Sequence, residues 1–116
     1  MGETWHDIIH PALWQQITTD IDTLLSQRAI FQTKIDALEA DGCINGNIVE
    51  EYRDGGKYGP YYRLTFYTDP ATGQKPAPEY LKREELERVR RQIANHQALV
   101  ELEETVNRID HVLDVV

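Results

Sequence analysis

The stretch that decides the fold is Asp54-Gly55-Gly56-Lys57-Tyr58-Gly59-Pro60-Tyr61-Tyr62-Arg63-Leu64-Thr65-Phe66-Tyr67. Its first half, dense in Gly with one Pro, is a turn. Its second half is rich in aromatic and β-branched residues and alternates in character, as a half-buried strand does. Tyr62, Leu64 and Phe66 make one face apolar, and Tyr61, Arg63, Thr65 and Tyr67 make the other amphipathic. A second turn at Asp69-Pro70-Ala71-Thr72-Gly73 lets Gln74–Leu81 return as a third strand. Pro76 and Pro78, two apart, confine that strand to a sheet edge. A sheet of two or three strands is too small to stand alone and must rest its apolar face on helices.

Those helices are legible on either side. Trp14, Ile17, Ile21, Leu24, Arg28, Phe31, Ile35 and Leu38 alternate spacings of three and four, an a/d seam with one Arg in it. Pro11 suits a first turn and Asp41-Gly42 a stop, so a helix is expected over 11–41. At a core position Arg28 either pairs with an acid across a helix interface or carries its head out to solvent on an apolar stem. After the sheet, Glu84-Glu85 suit a helix start. Leu86, Val89, Ile93, His96 and Val100 form one seam, and Leu99, Leu102, Val106, Ile109 and Leu113 form a second, offset by one residue. The expected fold is α+β and mostly α: two long antiparallel coiled-coil helices, 11–41 and 83–114, joined by a small two- or three-stranded antiparallel sheet within 44–81. A short segment, 1–10, precedes them in a single elongated domain. The seams are wide, and two helices alone would leave Leu13, Leu25, Ile30, Leu99 and Leu102 exposed, so a homodimer is expected.

At 116 residues and a net charge of −8 the chain is one acidic module, too short for a second core. No window is apolar for long enough to cross a membrane. A lone Cys43 cannot close an internal disulfide and points to a reducing cytoplasm. The charge is segregated: residues 1–51 hold two basic side chains against nine acidic, and residues 52–91 hold nine against six. The basic middle interleaves cations with tyrosines. Arg53, Lys57, Tyr58, Tyr61, Arg63, Tyr67 and Lys75 are therefore the candidate binding residues, the tyrosines to stack on bases and the cations to meet phosphates. Arg88, Arg90 and Arg91 extend the same surface. The alternative is that the tyrosines lie on the helices and the cations pair with the acidic flanks.

The run from Tyr52 to Leu64, then Gly73-Gln74-Lys75, then Tyr80 to Arg91, resembles a family of small bacterial coiled-coil and β-hairpin proteins of unassigned function. Gly59-Pro60-Tyr61-Tyr62 followed by Tyr80-Leu81 is its most specific element, and the similarity spans about half the chain, from Tyr52 to roughly Leu102. The resemblance implies a helix, hairpin and closing-helix fold, encoded often near transposases. Many such relatives carry paired cysteines in the hairpin, which this chain lacks. More distantly, the hairpin resembles the three-stranded arm-site domains of phage-type integrases, where a sheet face meets DNA.

Catalytic patterns are weak. His6 and His10, spaced i, i+4 beside Glu3 and Asp7, have metal-ligand spacing but sit close to the terminus, where exposed histidines are ordinary. His96 lies in an apolar seam, and His111 has only Asp110 beside it. Gly55-Gly56-Lys57 lacks the strand, helix and hydroxyl of a phosphate loop. The expectation is a non-enzymatic adaptor with no cofactor, metal or small-molecule substrate, binding nucleic acid or a nucleoprotein through the hairpin. The rivals are a protein-only scaffold, and an acidic inhibitor that mimics nucleic acid toward a DNA-binding protein.

Overall fold

The computed structural model describes residues 11–115, so the expectations for the segment 1–10, with His6 and His10, lie outside the described residues. The elements run α1 (Pro11–Asp41), β1 (Gly46–Arg53), β2 (Tyr58–Phe66), β3 (Glu79–Leu81), a 3-10 turn (Arg83–Glu85) and α2 (Leu86–Val115). The fold is the mostly α, α+β arrangement expected, with two long antiparallel helices joined by a three-stranded antiparallel sheet. The described residues divide into two compact units, 11–35 with 102–115 and Asp36–Glu101.

The first unit is a pair of helical segments whose buried residues are Ile35, Val106 and Ile109. Arg28, in the seam of α1, pairs with Asp110 of α2: its Nε and Nη2 both donate to the carboxylate, the second at 3.3 Å. The cross-helix alternative for Arg28 is the one adopted. That hydrogen bond, with the charge behind it, raises the Arg28 pKa and holds the Asp110 carboxyl below its ordinary range. Ile17, Ile21, Leu24, Phe31, Leu102 and Leu113 remain half-buried. Leu25 and Ile30 are exposed at 49% and 56%, because both lie off the axis of the seam.

In the second unit the sheet order is β1-β2-β3. Gly46 faces Phe66, Ile48 faces Leu64 and Glu50 faces Tyr62, with a register shift between Glu51 and Arg53. Alternation therefore sends Ile48, Tyr62, Leu64 and Phe66 to one face and Val49, Glu51, Tyr61, Arg63 and Thr65 to the other. Leu64 is buried, as are Leu86 and Val89 of α2, and these form the core under the sheet. The third strand is shorter than the sequence led us to expect. Only Glu79–Leu81 pair, opposite Leu64 to Tyr62, because Pro76 and Pro78 have no N–H to give a ladder. Asp69-Gly73 forms the expected turn, closed by Gly73 N–H to Asp69 O at 2.7 Å.

The end of α1 is held by side chains of α2. Gln92 Nε2 donates to the Asp41 carbonyl at 2.9 Å, and Asn95 Nδ2 to the Gly42 carbonyl at 3.0 Å. An acid at a helix C-terminus opposes the macrodipole. Here Arg91 Nε, at 2.9 Å, and Asn95 Nδ2, at 2.7 Å, donate to the Asp41 carboxylate and offset that cost. These bonds, led by that from Arg91, lower the Asp41 pKa.

Candidate functional face of the sheet

The turn Asp54–Lys57 is shaped by left-handed backbone at Asp54, Gly55 and Gly56 and closed by Lys57 N–H to Asp54 O at 3.2 Å. It returns the chain so that β2 presents Tyr61 opposite Glu51 and Arg63 opposite Val49. Tyr80 of β3 stands opposite Arg63, so all these side chains share the outer face. Pro60 costs nothing there. Even-numbered residues of β2 turn their amides toward β3, which ends opposite Tyr62.

On this face the Arg53 guanidinium lies 4.5 Å from the Tyr61 ring centroid and 5.8 Å from that of Tyr80. A cation over two rings is held without being neutralised. Tyr80 Oη donates to Glu51 Oε2 at 3.4 Å, and Arg63 Nε sits 2.9 Å from Glu51 Oε1. The Arg63 N–H is not aligned for a hydrogen bond, so this contact is an ion pair alone. Arg53, Tyr61, Tyr80, Glu51 and Arg63 thus form one connected cluster.

The seven candidate residues do not form a single site. Lys57 lies 5.4 Å from the Tyr58 ring centroid at the hairpin tip. Tyr67, six residues beyond Tyr61, is about 20 Å away at the opposite end of the sheet. There it lines a groove of about 540 Å³ with Ile44, Phe66, Pro70, Pro76 and His96. Lys75 is exposed in the loop before β3. Two members of the central cluster, Glu51 and Tyr80, are absent from the candidate residues read from sequence. Tyr80 stands in the quoted motif, but its face follows only from the β2–β3 register.

The second basic cluster proves largely committed to structure. Arg91 is bound to Asp41, while Arg88 contacts Glu85 at 3.4 Å and Gln92 Oε1 at 3.0 Å. Arg90 faces a groove, with Ile48, Glu50 and Ile93. His96 is half-buried and His111 exposed, and among the described residues no three His, Cys, Asp or Glu side chains group to hold a metal. Cys43 is half-buried with its thiol on the Leu38 carbonyl at 3.5 Å. Among the described residues no helix is long and apolar enough to cross a membrane.

No family model, curated protein or solved structure matches the chain.

Proposed function

We propose that this chain is a non-enzymatic interaction module of the cytoplasm, homodimeric, that contacts nucleic acid or a nucleoprotein through the outer face of its sheet. The observation that carries the proposal is the exposure of tyrosine around arginine. Five of the six tyrosines are exposed, including Tyr61 and Tyr80 with Arg53 stacked on both. Buried tyrosines would be ordinary core. Exposed rings arrayed along a rigid sheet and flanked by cations are a stacking platform for unpaired bases. The family resemblance adds a setting, an accessory role beside a transposase or recombinase. Fluorescence polarisation with short labelled single strands at low salt tests the proposal: Tyr61→Ala and Tyr80→Ala weaken binding, and no binding by the unaltered protein refutes it.

One observation favours a second reading, a protein partner on the same face. Glu51 neutralises Arg63, which leaves little spare charge for phosphates, and Tyr with Arg is the composition of protein-binding hot spots. A pull-down from the host with and without nuclease separates the two, since a protein-only partner survives the nuclease.

A further inference from the structure

We propose that the free edge of β1 is where two copies of this chain join, β1 against β1, into one continuous six-stranded sheet. This deepens the dimer in the functional reading above and rests on it only for the presence of a second copy.

The direction of the β1 amides follows from one hydrogen bond. Tyr67 N–H donates to Asn45 O at 3.1 Å, and Asn45 and Tyr67 extend the register in which Gly46 faces Phe66. In an antiparallel ladder every second pair exchanges hydrogen bonds. Asn47, Val49 and Glu51 therefore spend their N–H and C=O groups on β2, and Gly46, Ile48 and Glu50 turn theirs away from the sheet, Gly46 at a buried position and Ile48 and Glu50 at accessible ones. Among the described residues no other backbone group meets them.

The two edges of the sheet are treated differently. β3 is three residues long and follows Pro76 and Pro78, two devices that discourage strand addition. β1 is eight residues long and contains neither Pro nor Lys. Beside its open edge lies a groove lined by Ile48, Glu50, Tyr62, Arg90 and Ile93, able to take the side chains that an added strand directs toward α2.

A second copy fits this edge better than an unrelated strand, because β1 is complementary to itself. With the two-fold axis at Val49, the accessible edge groups of Ile48 pair with those of Glu50 in the other copy. Each Glu50 carboxylate then lies opposite an Ile48 side chain and not opposite another acid.

Light scattering on the full chain at about 100 µM protomer, where mass action favours association, is expected to give twice the 13.4 kDa monomer. Glu50→Pro removes an N–H that faces the free edge and spares the β1–β2 ladder, so it should give a monomer with unchanged circular dichroism. Leu25→Glu with Ile30→Glu, on the exposed face of α1, should leave the dimer intact. Should Glu50→Pro misfold, residue-resolved hydrogen exchange on the unaltered protein decides. The Ile48 and Glu50 amides gain protection as concentration rises, whereas those of Val49 and Glu51 are protected throughout. A monomeric unaltered protein overturns the proposal, as does a dimer that survives Glu50→Pro and dissolves in the α1 variant, or an Ile48 amide indifferent to concentration. Oligonucleotide binding by the Glu50→Pro monomer reads the outer face separately, so the functional reading can fail while the edge stands, or the reverse.

Discussion

Replacing Glu51 with Gln frees a cation on the outer face, and the effect on nucleic-acid binding can be worked from the contacts there. Of the candidate cations, Arg63 is paired with Glu51 at 2.9 Å, and Arg53 and Lys57, which flank the hairpin turn, have no ion pair among the described residues. Two phosphate contacts on a single strand give a slope of log affinity against log salt of about −1.4. Between 50 and 200 mM salt the unaltered protein should then lose affinity by about 7-fold. Glu51→Gln releases Arg63 as a third contact, so the slope should steepen to about −2.1 and binding at low salt should tighten. Tyr80→Ala removes a ring and no charge. It should cost about 1–3 kcal/mol, the worth of one stacked base, and leave the slope unchanged. The assay is fluorescence polarisation of a labelled oligonucleotide at four or more salt concentrations. If Glu51→Gln leaves both slope and affinity unchanged, Arg63 meets no phosphate and the outer face does not bind nucleic acid in the way described.

The remaining predictions concern stability. Val89 is 1% exposed under the sheet, so Val89→Ala should lower unfolding free energy in a denaturant titration by about 2 kcal/mol; Val112→Ala, at 44% exposure, should stay within about 0.5 kcal/mol, and equal effects would contradict the burial described. Asp41 and Asp110 both have lowered pKa values, so the folded chain binds fewer protons than the unfolded one. Their stabilisation is complete above the ordinary carboxylate pKa, about 3.9, and is lost as pH falls through the lowered values. Melting temperature followed from pH 6 to pH 2 should therefore fall more gently at the acid end in Asp41→Asn, and an unchanged profile would mean the Arg91 and Asn95 bonds do not form in solution. Gly42→Ala places a methyl at φ +107° against the Gln92 side chain, whereas Gly55→Ala, at φ +64°, meets nothing within 4 Å. The first should cost distinctly more than the second, which carries only the left-handed penalty of about 1–2 kcal/mol, and thermal melts of the two variants compare them directly.

Both helices and the hairpin were legible because their signals are local. The 3,4 spacing from Ile17 to Leu38, the Asp41-Gly42 stop and the turn at Asp54–Lys57 each lie within a few residues of one another. The one-residue offset between the seams of α2 was legible too: Val100 is 41% exposed while Leu99 is half-buried and Val106 is buried. The fate of the cations was not, because it depends on pairings far apart in sequence. Arg91 meets an acid fifty residues away, and nothing in its own helix marks that choice. Arg63 reaches Glu51 only through the β1–β2 register, and the bulge after Glu51 shifts that register by a residue. The third strand is shorter than its sequence pattern, because Pro76 and Pro78, compatible with an edge, end the pairing and leave only Glu79–Leu81 in the ladder.

Both proposed surfaces hang on the same few residues at the start of β1. A slip of one residue in the β1–β2 pairing would carry Glu51 to the face toward α2 and turn the amides of Ile48 and Glu50 onto β2. The outer cluster would be lost, and the open edge would present the amides of Val49 and Glu51 in place of those of Ile48 and Glu50. What prevents the slip is the anchoring of β1 to α2. Ile44 N–H donates to Gln92 O at 3.0 Å, and Asn45 O accepts from Tyr67 N–H. Gln92 also carries the end of α1, so one side chain and its own carbonyl fix where α1 stops and where β1 begins. Gly46 reinforces the setting, since a Cβ there would strike the Thr65 carbonyl and Leu64. Gly59 does the same at the far end, where a Cβ would come within 2.8 Å of the Glu51 carbonyl. Two close backbone approaches, one at each end of the ladder, leave a single register in which both glycines fit. The placement of Arg53 beside Tyr61 and Tyr80, and of the Ile48 amide at the open edge, therefore follows from helix-end hydrogen bonds and two missing side chains.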